Sequence, residues 1–367
     1  MKEFVAQARI ALADPETVIA PFCEHMVEHG ASVEACNGEH VVRFANSRAR
    51  FSHEADVMRI DATAASLEEL YFIRLTVASH IVEFAGAQTP EISWTGDGGD
   101  FVRPPNFQIL RIVGVRNVTP HMRRITFSGA DIDRLTNMSA LHLNILVQHP
   151  DLTEPQWPSV GANGLVRWQD PERRPSFRKY TVRSFDLPAG TIDIDFVIHA
   201  DAGPGSTFAE HAKAGDQVGI VGPGGGGLVD AEWYLFAGDE TALPAIGRML
   251  ENLPENARGK ALIEVADESE IQPLSFKAGI EVEWLCRNGA TAGTTQLLAD
   301  AVRRTAFPAD GTSVYAWAGC EFEAFRAIRA YLRKERGLSK QENLIVSYWR
   351  RGKSEDDAGK AADSEDA

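Results

Sequence analysis

The 367-residue chain reads as a multidomain protein: a small α+β domain, then an antiparallel β-barrel, then a doubly wound α/β domain. Three observations predict this. The length exceeds one small core at about 150 residues per domain. The hydrophobic period changes twice, from mixed helix and strand before residue 95, to short alternating strands over 107–228, to strand and helix in alternation over 233–353. Glycine- and proline-rich stretches, TGDGGDFVRPPN at 95–106 and GPGGGG at 222–227, fall where the period changes.

In the first part the sequence predicts a helix around 16–29, strands near His40–Phe44, Ala49–Ser52 and Val57–Ile60, and a second helix. Ser66 and Glu69 have capping-box spacing at the start of that helix, and Leu67, Leu70, Tyr71, Val77, Ala78, Ile81 and Val82 give it an apolar face. Residues 95–106 read as a linker. The second part contains FQILRIVGVRNV, MRRITFSG, LHLNILVQ, YTVRSFD, TIDIDFVIHA and DQVGIVG, regular short strands that suggest a barrel. The third contains WYLFAG, KALIEVAD, IEVEWLC, SVYAWAG and NLIVSYW, with helices near 244–252, 294–303 and 321–336, which implies a parallel sheet. The last sixteen residues carry six acids and no large apolar side chain, so 354–367 is expected to be a disordered acidic tail.

A formal net charge of −15 argues against nucleic acid as partner, because phosphate binding needs a broad basic face. No apolar run is expected to approach the roughly 18 residues of a membrane span, and the acid-containing start is unlike a signal peptide, so a cytoplasmic protein is expected. Cys23, Cys36, Cys286 and Cys320 lack a C-x-x-C pair, which fits free thiols in a reducing compartment and no metal centre.

Against that charge, residues 173–183 hold Arg173, Arg174, Arg178, Lys179 and Arg183. In a strand, Tyr180 and Val182 share one face and Thr181 and Arg183 the other. Arg-x-Tyr-Thr supplies a guanidinium, an aromatic ring and a hydroxyl, which are the groups a flavin dinucleotide needs for pyrophosphate, ring and heteroatoms. Downstream, Gly203-Pro204-Gly205 reads as a turn, Ser206 or Thr207 as a cap and Phe208–Lys213 as a short helix, whose N-terminus suits a phosphate.

Two motifs read as decoys. Gly222–Gly227 satisfies G-x-G-x-x-G, but a strand rather than a helix follows it. His25-Met-Val-Glu28-His29 matches H-x-x-E-H, yet Gly30 ends the helix there, and histidines favour a helix C-terminus. Phe322, Phe325, Ile328 and Leu332 form a core-facing stripe, and Tyr348-Trp349 ends the last strand.

Arg178–Arg183, Asp195–His199, Gly203–Ser206, the run Gly238-Asp239-Glu240-Thr241-Ala242-Leu243-Pro244-Ala245-Ile246 and Tyr348–Gly352 together resemble the siderophore-interacting protein family, over about 107–353. The family is one of FAD-dependent ferric-siderophore reductases with ferredoxin-reductase-like architecture. The first ninety-odd residues resemble a separate small domain of unknown function. The resemblance implies that Arg178 holds the FAD pyrophosphate, that Tyr180 stacks on the isoalloxazine and that Thr181 hydrogen-bonds near N5, the last two being the catalytic positions. It implies that His199, Ser206 and Thr207 hold the ribityl and phosphate part, with Val182, Asp195, Val197 and Asp201 as further cofactor positions. Gly238, Asp239, Glu240, Thr241 and Ala242 would lie at the ligand-binding edge of the sheet, with Thr241 as N-cap. Arg183, Arg350, Arg351 and Lys353 are candidates for an anionic ferric siderophore, as is the Arg123-Arg124 pair. The implied reaction reduces Fe3+ to Fe2+ with electrons from NADPH or NADH. The alternatives are reduced ferredoxin as donor, or a siderophore-binding or iron-delivery protein without enzymatic activity.

Overall fold

The computed structural model describes residues 3–36, 38–199, 203–309 and 311–353, so the expected acidic tail lies outside the described residues. It divides into two compact units, residues 1–107 with 150–174, and 108–149 with 175 onward.

The first unit contains β1 (Phe4–Ala11), α1 (Glu16–Glu28), β2 (Ser32–Cys36), β3 (Glu39–Arg43), β4 (Ser47–Glu54), β5 (Val57–Ala64), α2 (Leu67–Ala85) and β6 (Trp94–Gly96). The strands form one antiparallel sheet in the order β2-β3-β4-β5-β1-β6. Alternation puts Ala6, Ala8 and Ile10 of β1 inward with Phe51 and Ile60, and both helices cover that face with Ile19, Phe22, Ile73 and Val77. Ser66 caps α2 as expected, its hydroxyl accepting from Glu69 N at 3.1 Å. By length and composition Leu67–Gln88 is apolar enough to cross a membrane, with mean hydropathy 1.2, which corrects the reading that no run reaches span length. Here Leu70, Ile73, Val77 and Ile81 are buried in the domain core.

The stretch expected as a linker supplies β6 and is tied to the 150–174 excursion. Trp94 donates from its backbone to Ala162 O and from Nε1 to Asn163 O, and Val160 N donates to Val102 O.

The second unit takes in β7 (Phe107–Thr119) from Gln108 onward, then β8 (Met122–Ser128), β9 (His142–Val147) and, after the excursion's two-stranded ribbon β10 (Ser159–Val160) and β11 (Val166–Arg167), β12 (Ser176–Asp186), β13 (Thr191–Val197), α3 (Pro204–His211) and β14 (Gln217–Gly224). Apart from the ribbon, these strands close into a barrel in the order β12-β13-β8-β7-β14-β9, filled by Leu110, Ile112, Phe127, Ile145, Ile194 and Phe196.

There follow β15 (Trp233–Gly238), α4 (Leu243–Glu251), β16 (Arg258–Val265), β17 (Gly279–Cys286), α5 (Leu297–Arg304), β18 (Val314–Glu321), α6 (Phe322–Ala330) and β19 (Asn343–Trp349). Their five strands are parallel, in the order β17-β16-β15-β18-β19. Successive residues of β15 serve opposite faces: Tyr234 and Phe236 pack with α4, Leu235 and Ala237 with α5 and α6. Strand order reverses between β15 and β18, and a doubly wound sheet binds its ligand at the carboxyl edge of such a reversal. The fold is the expected one, an antiparallel barrel and a doubly wound parallel sheet following a small α+β domain.

Candidate functional site

The barrel contributes β12. Its even positions Tyr180 and Val182 join the barrel core, and Tyr180 lies 4.3 Å, centroid to centroid, from Phe196. Arg178 is buried on the same face. Thr181 stands opposite His142 of β9, and pairing with β13 shifts register between Val182 and Ser184. The helix after β13 starts at Pro204, earlier than Phe208, because a proline's fixed φ suits the first turn. Gly203 is its N-cap and no side chain caps it, so the expected capping by Ser206 or Thr207 is corrected: Ser206 is buried and accepts from His199 N at 3.4 Å, and Thr207 is exposed. A Cβ on Gly205 would come within 2.1 Å of the Tyr180 hydroxyl, so the ring rests on bare backbone at the helix start. Asp201 lies outside the described residues.

The sheet contributes its carboxyl edge. Asp239, directly after β15, accepts from Thr241 N (3.0 Å) and Thr241 Oγ1 (2.5 Å) on one oxygen, and from Glu321 N (3.1 Å) and Trp349 Nε1 (2.8 Å) on the other. Thr241 is therefore a donor to Asp239 and not the N-cap of α4, a place held by Ala242. Burial, and then the neighbouring Glu240, push the Asp239 carboxyl up to about 6 despite those donors. Gly238 is bare for packing: a Cβ there would lie 2.5 Å from Ala242 Cβ and 2.9 Å from Gly319 O.

Tyr348 joins the two lobes of this unit. Its hydroxyl lies 2.5 Å from His142 Nε2 and also hydrogen-bonds the Thr181 side chain. Burial, then the charge of Lys179, lowers the His142 imidazole to about 4, so it is neutral at pH 7, and burial raises the Tyr348 hydroxyl far above its usual range. Beside Asp239 opens a pocket of about 280 Å³ whose lining includes Glu264, Arg287, Glu321, Trp349 and Arg351.

Several expected residues have other partners. Asp195 forms a buried bidentate pair with Arg124 (2.6 and 2.8 Å), which also occupies one of the two arginines considered for the chelate. Glu240 pairs bidentately with Arg287, which reaches Glu264 as well. The Arg183 guanidinium, expected near the chelate, forms a bidentate pair with Glu251 of α4 at 3.0 and 2.7 Å, which answers much of its charge. Val197 is half-buried at the end of β13. Arg350 lies over the Phe322 ring at 4.1 Å, Arg351 N donates to Glu321, and Lys353 is exposed.

Sequence reasoning passed over His142 and Arg248. Buried Arg248 of α4 donates to the carbonyls of Val182 (3.0 Å), Leu135 (3.2 Å) and Asn137 (3.3 Å), which ties the helix after Asp239 to the strand of Tyr180. Its only sequence signal was a cation inside the apolar run LPAIGRML. The glycines at 222–227 lead into β15 with no helix between, as expected, and a Cβ on Gly227 would strike Met138 O.

Buried Arg178 supplies a cation and the uncapped start of α3, packed on the Tyr180 ring at Gly205, supplies N–H donors, and these residues fit a flavin dinucleotide.

The comparisons with known proteins agree with that geometry. The siderophore-interacting FAD-binding domain matches residues 111–227, the siderophore-interacting protein domain matches 231–352, and a bacterial family of uncharacterized proteins, DUF2218, matches 7–95. The ferric vibriobactin reductase of Vibrio cholerae is 31% identical over 252 residues, 68% of this chain and 91% of that protein. A siderophore utilization protein from T. fusca is 40% identical with a TM-score of 0.61, over 69% of this chain and 96% of that one. The siderophore-interacting protein of Aeromonas hydrophila is 31% identical with a TM-score of 0.59, over 71% and 99%. A barrel with the features of an FAD site, joined to a sheet whose carboxyl edge faces it, thus has its counterpart in relatives matched over nearly their whole length, and the chain belongs to the siderophore-interacting protein family.

Proposed function

We propose that the protein reduces ferric siderophores, taking electrons from NADPH or NADH through FAD and releasing Fe2+. The observation that carries this reading is the convergence, within one compact unit, of the Arg178–Thr181 strand, the start of α3 and the Asp239–Tyr348 edge of the parallel sheet. The name of the Vibrio relative supports it.

Bound FAD would supply the exchange between a two-electron hydride donor and one-electron iron chemistry. Arg178 and the N–H groups of α3 would hold the diphosphate and Tyr180 and Thr181 the ring system, while Asp195 of β13 pairs with Arg124 of β8. His199, Ser206 and Val197 would line the chain between. Tyr348, His142 and Thr181 form a part-buried, uncharged hydrogen-bonded wall. One NAD(P)H and two Fe3+ give NAD(P)+, two Fe2+ and a proton, and Asp239, lining the pocket with a carboxyl raised to about 6, is suited to holding that proton. Arg350, Arg351 and Lys353 are the cations proposed to draw in an anionic chelate. Reduction weakens the hold of hard oxygen ligands on the ion, so the protein need not ligate iron.

The test is anaerobic mixing with NADH, NADPH or reduced ferredoxin while flavin absorbance is followed, then addition of a ferric chelate with a ferrous trap. Bleaching by NAD(P)H and ferrous iron on addition of chelate are expected. Bleaching by reduced ferredoxin alone would replace the donor, and a protein that binds ferric chelates without flavin would overturn the reading.

A further inference from the structure

His25 and His29 stand one turn apart at the end of α1, and α2 brings His80 beside them. The ring centroids are 4.6, 5.1 and 5.8 Å apart, and one ring nitrogen from each lies within 4.8 Å of the others. His25 Nε2 and His29 Nε2 are 3.0 Å apart. Two nitrogens bound tetrahedrally to one zinc ion at 2.0–2.1 Å are separated by about 3.3 Å, so this pair needs little movement to share an ion.

The second contacts of these rings point the same way. His80 Nδ1 lies 2.8 Å from the carbonyl oxygen of Thr76, so that nitrogen carries the proton and Nε2 is left with its lone pair. His25 Nδ1 faces Glu28 Oε2 at 3.4 Å. Imidazoles held by a carbonyl and a carboxylate through the nitrogen not used for ligation are the usual outer contacts of a metal site. Half-buried Phe84 packs edge-on against His25 and stacked on His80, while His29 is exposed. A role confined to the C-terminal dipole of α1 accounts for His25 and His29 but gives no reason for the third ring from another helix.

We propose that His25, His29 and His80 bind one divalent first-row transition-metal ion through three imidazole nitrogens, leaving a coordination position open to solvent. Neutral imidazole suits zinc, copper, nickel and ferrous ions. The site lies wholly in the first compact unit and does not depend on the flavin reading.

The experiment uses the full chain without a tag, stripped with a chelator. It is titrated with ZnCl2 in a calorimeter and with Co2+ by visible absorption, and with Fe2+ under anaerobic conditions. One equivalent of saturable binding is expected. Glu28→Gln should weaken it about 10-fold, within the 10- to 100-fold range for outer contacts, and each His→Ala variant should weaken it more. His29→Ala changes an exposed ring and keeps the test valid if His80→Ala fails to fold. Absence of saturable binding for all three ions, or unchanged affinity in a His25→Ala/His29→Ala protein of native circular dichroism, would overturn the proposal.

Discussion

Two basic segments of the second unit, Arg178–Arg183 and Arg350–Lys353, look alike in sequence and differ in what surrounds them. In the first, Arg178 is buried and Arg183 is locked to Glu251. In the second, Arg350 lies over an aromatic ring, and Arg351 and Lys353 are exposed. The difference teaches that a cation's task follows from its partner: a guanidinium already paired in a bidentate geometry has little charge left for a ligand, whereas an exposed one keeps its field. Sequence reasoning counted Arg183 among the candidates for the chelate without its pairing partner, which lies 68 residues away.

The comparison can be broken first at Arg248, which props the buried segment from behind. Arg248→Met should cost about 3–5 kcal/mol in urea unfolding, since three carbonyls lose a buried donor. A loss below 1 kcal/mol would mean that the strand holds itself.

The next effect is a pH dependence from the cluster joining the lobes. Asp239 binds its proton more tightly folded, at about 6 against 3.8 unfolded, so its contribution is full below about pH 4 and is lost as pH rises through 6. His142 binds its proton less tightly folded, at about 4 against 6.5, so its contribution is full above pH 6.5 and is lost as pH falls through 4. Each amounts to about 3 kcal/mol, and the two oppose one another between pH 4 and 6. Asp239→Asn should therefore be destabilised on acidification and His142→Asn on raising the pH, as read by urea midpoints at pH 4.5 and 6.5. The same slope in both variants would contradict this assignment.

Arg178→Ala should weaken FAD retention by about 10- to 100-fold, the worth of a charge-assisted contact, measured as flavin content after gel filtration. A double-mutant cycle on Arg183→Ala and Glu251→Ala should give a coupling of about 1–2 kcal/mol, with the chelate KM unchanged in Arg183→Ala. Smallest, Arg351→Ala should raise the chelate KM about 2- to 5-fold at low salt and leave flavin content untouched. A larger KM effect for Arg183 than for Arg351 would reverse the comparison.

The parallel sheet was legible because strands buried on both faces are written as unbroken apolar runs, such as WYLFAG, and helix starts such as Leu243-Pro244 carry their own chemistry. β1 was not, because its inward positions include Ala6 and Ala8, which give little contrast with the polar residues between them. Arg178, Tyr180 and Thr181 were legible as a set of donors and a ring in strand spacing. The partners of Asp195, Glu240 and Arg183 were not, since they arrive from segments 71, 47 and 68 residues away. His142 sits as an ordinary polar residue in an alternating strand until Tyr348 reaches it.

The excursion at 150–174 has a bearing on how the protein can be taken apart. The chain passes between the two units three times, at 107, at 149 and at 174, so the N-terminal domain is no bead on a single tether. A truncation starting at residue 108 would keep the barrel strands and sheet but leave Ala162 O and Asn163 O without the donors that Trp94 supplies. The two proposals are tested separately more cleanly by point substitution at His29 and Arg178 than by cutting, because each changes one site and leaves all three crossings intact.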